Sequence, residues 1–393
     1  MKIYHAKIVT PEKVIENGTI EILGERIVSI TEGYPELIDF DDIDAEGKWV
    51  LPGLVDSHSD AIELELEPRP NSTFPIEISF YELEKKLVGE GITTIYHSLS
   101  LMEENAKKWI RQNNTVLQVI HDIKRLSSGR QLIRHKTHLR YEITNTVAVE
   151  NVKKMMEDGK IDQLSFMDHT PGQGQFRDLE VHKRLLMEHR HFSEEEAKLV
   201  IEESKLMPKL DGEILAELSK LAAEYKIPLA SHDDDTLEKI ELVKSWNAVI
   251  SEFPIELEVA VKAKEEGLYV VMGAPNALLG KSHSNNVSAL EAVMHGAVDI
   301  LCSDYYPSSL LHAAFKLYKE GMPIYQAFNM VSLNPAKALG IEKRVGSIEK
   351  GKLADLILVS EEEMSPVLQT VIVNGQVVCQ MNYHRPAAVP IPM

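Results

Sequence analysis

Between residues 51 and 320, short apolar runs alternate with longer amphipathic ones, and the alternation repeats eight times. The strand-like runs are 51–57, 92–98, 137–143, 162–168, 227–232, 248–253, 269–275 and 298–304. Helix-like stretches lie between most of them, at 79–90, 101–126, 193–225, 235–246, 255–266, 286–295 and 309–320. Eight strands with intervening helices predict an α/β chain folded as a (β/α)8 TIM-like barrel. In such a barrel the chemistry sits at the C-terminal strand ends, so those positions are the ones to inspect.

They carry an unusual set of side chains. His58, Asp60, His97, Glu142, Asp168, His169, His232 and Asp304 all fall at or near predicted strand ends. A single histidine is more often structural or exposed than a ligand; the repetition at strand ends carries the signal. His58-Ser-Asp60 closes the run LPGLVDSHSD, and alternate residues of a strand share a face. The pair therefore aims two metal-type ligands together. Far downstream, Ala297 to Asp304 is another buried-looking run that ends in a carboxylate. His232, in PLASHDDD, fits a third strand end. His169, in FMDHTPG, fits a fourth; Asp168 is its rival, because neighbours point to opposite faces. Imidazoles and carboxylates drawn from several strands suit divalent ions, which lower the pKa of bound water. Zinc is the default for a histidine-rich set, and the aspartates keep manganese, iron and nickel open.

The ends of the chain read differently. Ile3–Val9, Gly18–Leu23 and Arg26–Ile30 look like strands, with turns at Asn17-Gly18 and Gly24-Glu25. Residues 346–380 look similar, with a hairpin turn at Asn374-Gly375. Neither end holds enough strands for a stable sheet, so 1–50 and 341–393 are expected to build one small β-domain beside a barrel of 51–340. The segment 170–192 is a long insertion of lid or substrate-loop type, and the tail RPAAVPIPM is Pro-rich. A net charge of −19 speaks against nucleic-acid binding. No apolar run is long enough to cross a membrane. Cys302 and Cys379 form neither a ligand spacing nor a disulfide framework, as expected of a cytoplasmic chain.

An opening His-x-Asp after PGLVD, with a closing strand that ends in Asp, resembles the amidohydrolase superfamily of metal-dependent hydrolases. GSIEKGKLADLILV resembles its C-terminal signature. The resemblance implies a small β-sandwich made from both ends and two metal ions held by His58, Asp60, Glu142, His169, His232 and Asp304. Asp304 would also take the proton of the attacking water. Many members bridge their metals with a carbamylated lysine. No lysine is convincingly placed here, so Glu142 is the better bridge, against the plainer reading of a pair with Arg140. Such enzymes commonly form homo-oligomers.

A closer resemblance rests on His58-Ser-Asp60, Glu67-Pro-Arg-Pro70, His138-Leu-Arg140 with Glu142, FMDHTPGQGQF (166–176), MGAPN (272–276), SHSNNVSA (282–289) and LCSDYYPSSLL (301–311). These are similar to the α-D-ribose 1-methylphosphonate 5-triphosphate diphosphatase family of the carbon–phosphorus lyase pathway. Membership implies a small phosphorylated substrate, cleaved by water to a 5-phosphate and pyrophosphate. Candidate anion binders are Arg69, Arg140, Arg177, Lys183, Lys281, His283 and Asn286. The chain departs from the family pattern at Gly174, often Arg, at Lys281, usually Gly, and at Asn285, usually Gly. Lys281 could replace a charge lost at Gly174. These departures lie in substrate loops, not at the metal-type ligands, and so bear on the exact substrate while leaving hydrolase chemistry intact. Two other readings stand beside this one: an amidohydrolase acting on an N-acyl or cyclic-amide substrate, and an inactive scaffold of the same fold, which predicts degraded ligand positions.

Overall fold

The computed structural model describes residues 1–190, 192–280, 286–362 and 365–384. Eight parallel strands form the barrel: Leu54–Ser59, Ile92–Leu101, Arg134–Glu142, Gln163–Met167, Leu229–His232, Ile250–Glu252, Tyr269–Gly273 and Ile300–Cys302. They match the eight expected runs in number and order, because a strand buried on both faces reads as a continuous apolar run. The helices between them follow the same logic. Asn113–Ser127 buries Val116, Val119, Ile120, Ile123 and Leu126, a stripe at i, i+3, i+4 spacing. The long helix expected over 193–225 is two helices, Glu194–Lys205 and Gly212–Glu224. Pro208 interrupts the run, and Asp211 caps the second helix by accepting from the Ile214 amide.

Closure of the barrel happens at the future site. Ser59 bridges Asp304, the Asp60 amide donates to the Asp304 carbonyl at 2.7 Å, and the Asp304 amide donates to the His58 carbonyl at 3.0 Å. Beneath this seam the buried Asp56 carboxylate accepts from the Ser303 amide (3.0 Å) and hydroxyl (2.6 Å). The lower interior is apolar, filled by Val55, Tyr96, Ala230, Ile250, Val271 and Ile300, and plugged by Ala336, Leu339 and Val345. The polar mouth thus sits on a packed floor.

Strands from both ends of the chain form one eight-stranded sheet: Lys2–Val9, Val14–Leu23, Arg26–Glu32, Ile43–Asp44, Trp49–Pro52, Leu356–Glu362, Ser365–Val373 and Gln376–Gln380. The expected turn at Asn17-Gly18 is instead inside the second strand, where the register against the first slips. Gly18 is there because a Cβ would come within 2.5 Å of Ile8 Cδ1. The hairpin at Asn374-Gly375 does form, with φ of 52° and 72° at its two central residues. A Cβ on Gly375 would lie 2.2 Å from the Gly24 carbonyl oxygen. Gly375→Ala is therefore expected to destabilise by about 1–3 kcal/mol in chemical unfolding, and a neutral effect would refute the turn geometry.

Candidate metal centre and active site

Several of the side chains at the barrel mouth come from a local break or the end of a strand. The register of the first strand against the second runs Asp56 to Ile95 and then Ser59 to His97, one residue too many on the first strand. This bulge re-aims His58, and Asp60 follows as the residue before the helix Ala61–Leu66. The pair therefore converges through a bulge and a helix start, not through simple strand alternation. Asp233, Phe253 and Asp304 stand just past three other strands with φ of 53°, 55° and 56°. Aspartate tolerates the left-handed region; a phenylalanine there is strained. Phe253 is held against the His58 and His232 rings, at 5.0 and 5.2 Å between centroids.

Two groups of ligand-type atoms result, His58/His138/Glu252 and His169/His232/Asp233. In the first, Glu252 Oε1 lies 3.3 Å from His58 Nδ1 and 3.7 Å from His138 Nε2. Ser98 and Ser165 orient His138 from its two ring nitrogens. In the second, Asp233 Oδ2 lies 3.2 Å from His232 Nδ1 and 3.9 Å from His169 Nε2. Arg140 stands between the groups, donating to Asp60 Oδ1 (3.0 Å) and meeting His232 Nε2 (3.0 Å). A guanidinium can only donate, so His232 Nε2 is the acceptor of that contact and Nδ1 is the nitrogen on the Asp233 side.

The electrostatics follow from burial opposed by charge. Burial alone would depress His58, but the Glu252 carboxylate outweighs it and holds the imidazole above its ordinary pKa. Burial pushes His138 down to about 3 and lowers His232. Asp60 is buried too, yet Arg140 and His58 keep it below the usual carboxylate range. Asp304 goes the other way: burial, then the Asp60 charge, raise it to about 6. A carboxylate poised there suits proton transfer near neutral pH.

A divalent ion fits these residues. Both ring nitrogens of His58, His232 Nδ1, Asp233 Oδ2 and Glu252 Oε2 are buried and make no hydrogen bond. Orphaned buried polar atoms cost about 1–3 kcal/mol each unless something else satisfies them. The donor set, imidazole plus carboxylate, is the one that holds zinc and its neighbours.

Among the expected ligands, His58, His169 and His232 enter the two groups, with Asp60 3.9 Å from His58. Asp304 adjoins them across the closing seam. Glu142 accepts from His169 Nδ1 at 2.7 Å, which orients that ring. Asp168 turns away to Lys209 (2.7 Å), so His169 is the neighbour that faces the centre. His97 lies outside the barrel, 2.9 Å from His135, which in turn meets Glu84. Of the expected anion binders, Arg140 is inside the centre, Arg69 is exposed, and Arg177 and Lys183 pair with Glu256 and Glu180. Asn286 is half-buried; Lys281, His283 and Asn285 lie outside the described residues. Gly174 has φ 50°, and a Cβ there would meet Asp233 Cβ at 2.9 Å. The glycine lets its loop touch the centre directly.

Glu252, His138 and Asp233 were not expected as ligands. Glu252 lies one residue before the end of the expected strand 248–253, and His138 lies two and four residues before Arg140 and Glu142 on one face. Asp233 is hidden in a run of three aspartates.

Comparison with known proteins places this barrel, with its imidazole and carboxylate groups at the mouth, in a known family. The amidohydrolase family model matches residues 144–378. The chain is 31% identical to the alpha-D-ribose 1-methylphosphonate 5-triphosphate diphosphatase of Escherichia coli (strain K12), over 92% of this chain and 96% of that one. The chain therefore belongs to the amidohydrolase family, and within it to that of the phosphonate-pathway diphosphatase. It is also 23% identical to an imidazolonepropionase of Geobacillus sp. (strain WCH70), over 93% and 91% of the two chains. The solved 5-methylcytosine deaminase from Klebsiella pneumoniae shares the fold, with a TM-score of 0.66 at 15% identity, covering 98% of this chain and 100% of that one. The protein is a hydrolase of the amidohydrolase superfamily.

Proposed function

We propose that this hydrolase is metal-dependent and cleaves α-D-ribose 1-methylphosphonate 5-triphosphate to the 5-phosphate and pyrophosphate. The observation that carries the reading is the near full-length identity to the Escherichia coli diphosphatase, together with its loop motifs around the barrel mouth. Two divalent ions, zinc foremost, would be held by His58, His138, Glu252, His169, His232 and Asp233, with Asp60 and Asp304 adjoining. Bound there, such ions activate water and neutralise phosphoryl oxygens.

The chain's own residues do the rest. The Asp304 carboxylate, raised to about 6, accepts the proton of the attacking water. Glu142 fixes the His169 ring, and Phe253 packs against His58 and His232 to keep bulk water from them. Arg140 offsets the negative charge that Asp60, Glu252 and Asp304 concentrate at the mouth. Phosphoryl transfer asks mainly for positioning and charge neutralisation, and this constellation is built for both.

Phosphorus NMR of the triphosphate with purified protein and added Zn, Mn, Fe or Ni tests the reading. Pyrophosphate is expected to appear, and a chelator is expected to lower the rate at least 100-fold, restored by adding back metal. An inert triphosphate would refute the assignment. The imidazolonepropionase similarity supports a second reading, hydrolysis of a cyclic amide. Release of a carboxylate, with no pyrophosphate, would select it.

A further inference from the structure

Beside His169 lies a cavity of about 320 Å³, at the small end of ligand-pocket sizes. It is lined by Glu142, His169 and Thr170 and by Phe176, His182 and Leu186 of the insertion that carries the helix Leu179–Arg190. A second helix, Glu194–Lys205, packs on the first through Leu186, Ala197 and Ile201 and adds Val200 and Ser204 to the wall. Among the described residues that line it, Arg111 is the one arginine.

Arg111 is held from behind. Its Nε donates to Glu63 Oε2 at 2.8 Å, and the other Glu63 oxygen accepts from the Ser100 amide at 3.1 Å. Glu63 is buried at 4% exposure, whereas the Arg111 side chain is 25% exposed. The Arg111 Nη2 stops 3.8 Å short of Asp60 Oδ2, beyond hydrogen-bond reach. Among the described residues neither terminal nitrogen makes a hydrogen bond. Glu63 thus occupies one edge of the fork and leaves the other, the edge that pairs with two oxygens of one anion, toward the cavity. Arg140 cannot take that part, because Asp60 and His232 engage it. Two carboxylates also line the cavity: Glu142, whose oxygens His169 holds, and Glu103, which is exposed to solvent.

We propose that this cavity seats the anionic phosphoryl chain of the substrate, with Arg111 as its clamp and Glu63 as the residue that positions the clamp. The inference rests on the phosphoanhydride reading above and adds the binding site to it. It also gives the insertion a task, which is to cover the bound anion.

The test compares the full-length wild type with Arg111→Met, Arg111→Lys and Glu63→Gln, each with bound metal measured. KM and kcat are taken for the triphosphate, and direct binding is measured with inorganic pyrophosphate. Arg111→Met is expected to raise KM at least tenfold and to weaken pyrophosphate binding by a similar factor, with metal content unchanged. Arg111→Lys keeps the charge without the fork and should recover part of the loss. Glu63→Gln should raise KM at least threefold with a smaller change in kcat. An unchanged KM in Arg111→Met overturns the clamp and leaves the phosphoanhydride reading standing. A wild type that hydrolyses no phosphoanhydride overturns that reading instead. The clamp is then judged on pyrophosphate binding: loss in Arg111→Met upholds it, and equal or absent binding rejects it.

Discussion

Asp304→Asn is expected to lower kcat by roughly 10²–10⁴-fold, the usual worth of a positioned proton acceptor. Asparagine preserves the shape and one oxygen, so the backbone pairing of Asp304 with His58 and Asp60 that closes the barrel is retained. Only the ability to take a proton is removed. Steady-state kinetics at saturating metal, with metal content and circular dichroism measured on the same samples, separate this loss from unfolding. A variant with normal metal and more than a tenth of the wild-type kcat would remove Asp304 from the proton-transfer role. The Arg111 variants should behave in the opposite way, through KM, so the two sets of substitutions report on different parts of the mouth.

The second large effect concerns how the terminal sheet is tied to the barrel. Arg134, which begins the third barrel strand, is bonded through both terminal nitrogens to the Asp355 carboxylate and also to the Asn374 side chain. Asp355 accepts in addition from the Asn374 amide at 2.9 Å, and its side chain is only 2% exposed. Removing one partner of such a pair strands the other charge away from water. Asp355→Ala is therefore expected to cost about 3–5 kcal/mol, seen as a fall of several degrees in the melting temperature. Replacing both partners, Arg134→Met with Asp355→Leu, should recover part of the loss, because no lone charge is left behind. A single-variant cost below about 1 kcal/mol would show that the pair is not buried in solution.

Much of this fold was legible because burial leaves a trace in sequence. A barrel strand is covered on both sides and reads as an apolar run; a covering helix shows one stripe, as Val116, Val119, Ile120 and Ile123 do. The His58-Ser-Asp60 motif was legible for a related reason: it follows directly on the apolar run Leu51–Val55 and places two ligand-type side chains at a strand end. Less legible was Glu252. It lies one residue before the end of an expected strand, but it is one of many glutamates in a chain with 61 acidic residues, and only its burial between His58 and His138 distinguishes it. Asn17-Gly18 misled for a comparable reason, since a glycine demanded by the Ile8 side chain has the same letter as one demanded by a turn.

By itself the sequence determined what depends on local pattern: eight strands, the helices that cover them, the hairpin at Asn374-Gly375, and several of the strand ends that carry ligand-type side chains. Tertiary structure alone decided what depends on distance in space. It brought Glu252 and His138 to His58, set Arg140 between Asp60 and His232, turned Asp168 outward and His169 inward, and placed Arg111 at the cavity with Glu63 behind it. The physical reason is that strand and helix preferences act over a few residues. Charge pairing and desolvation act between groups far apart in the chain, as Asp60 and Arg140 are at 80 residues, and those meet only when the barrel closes.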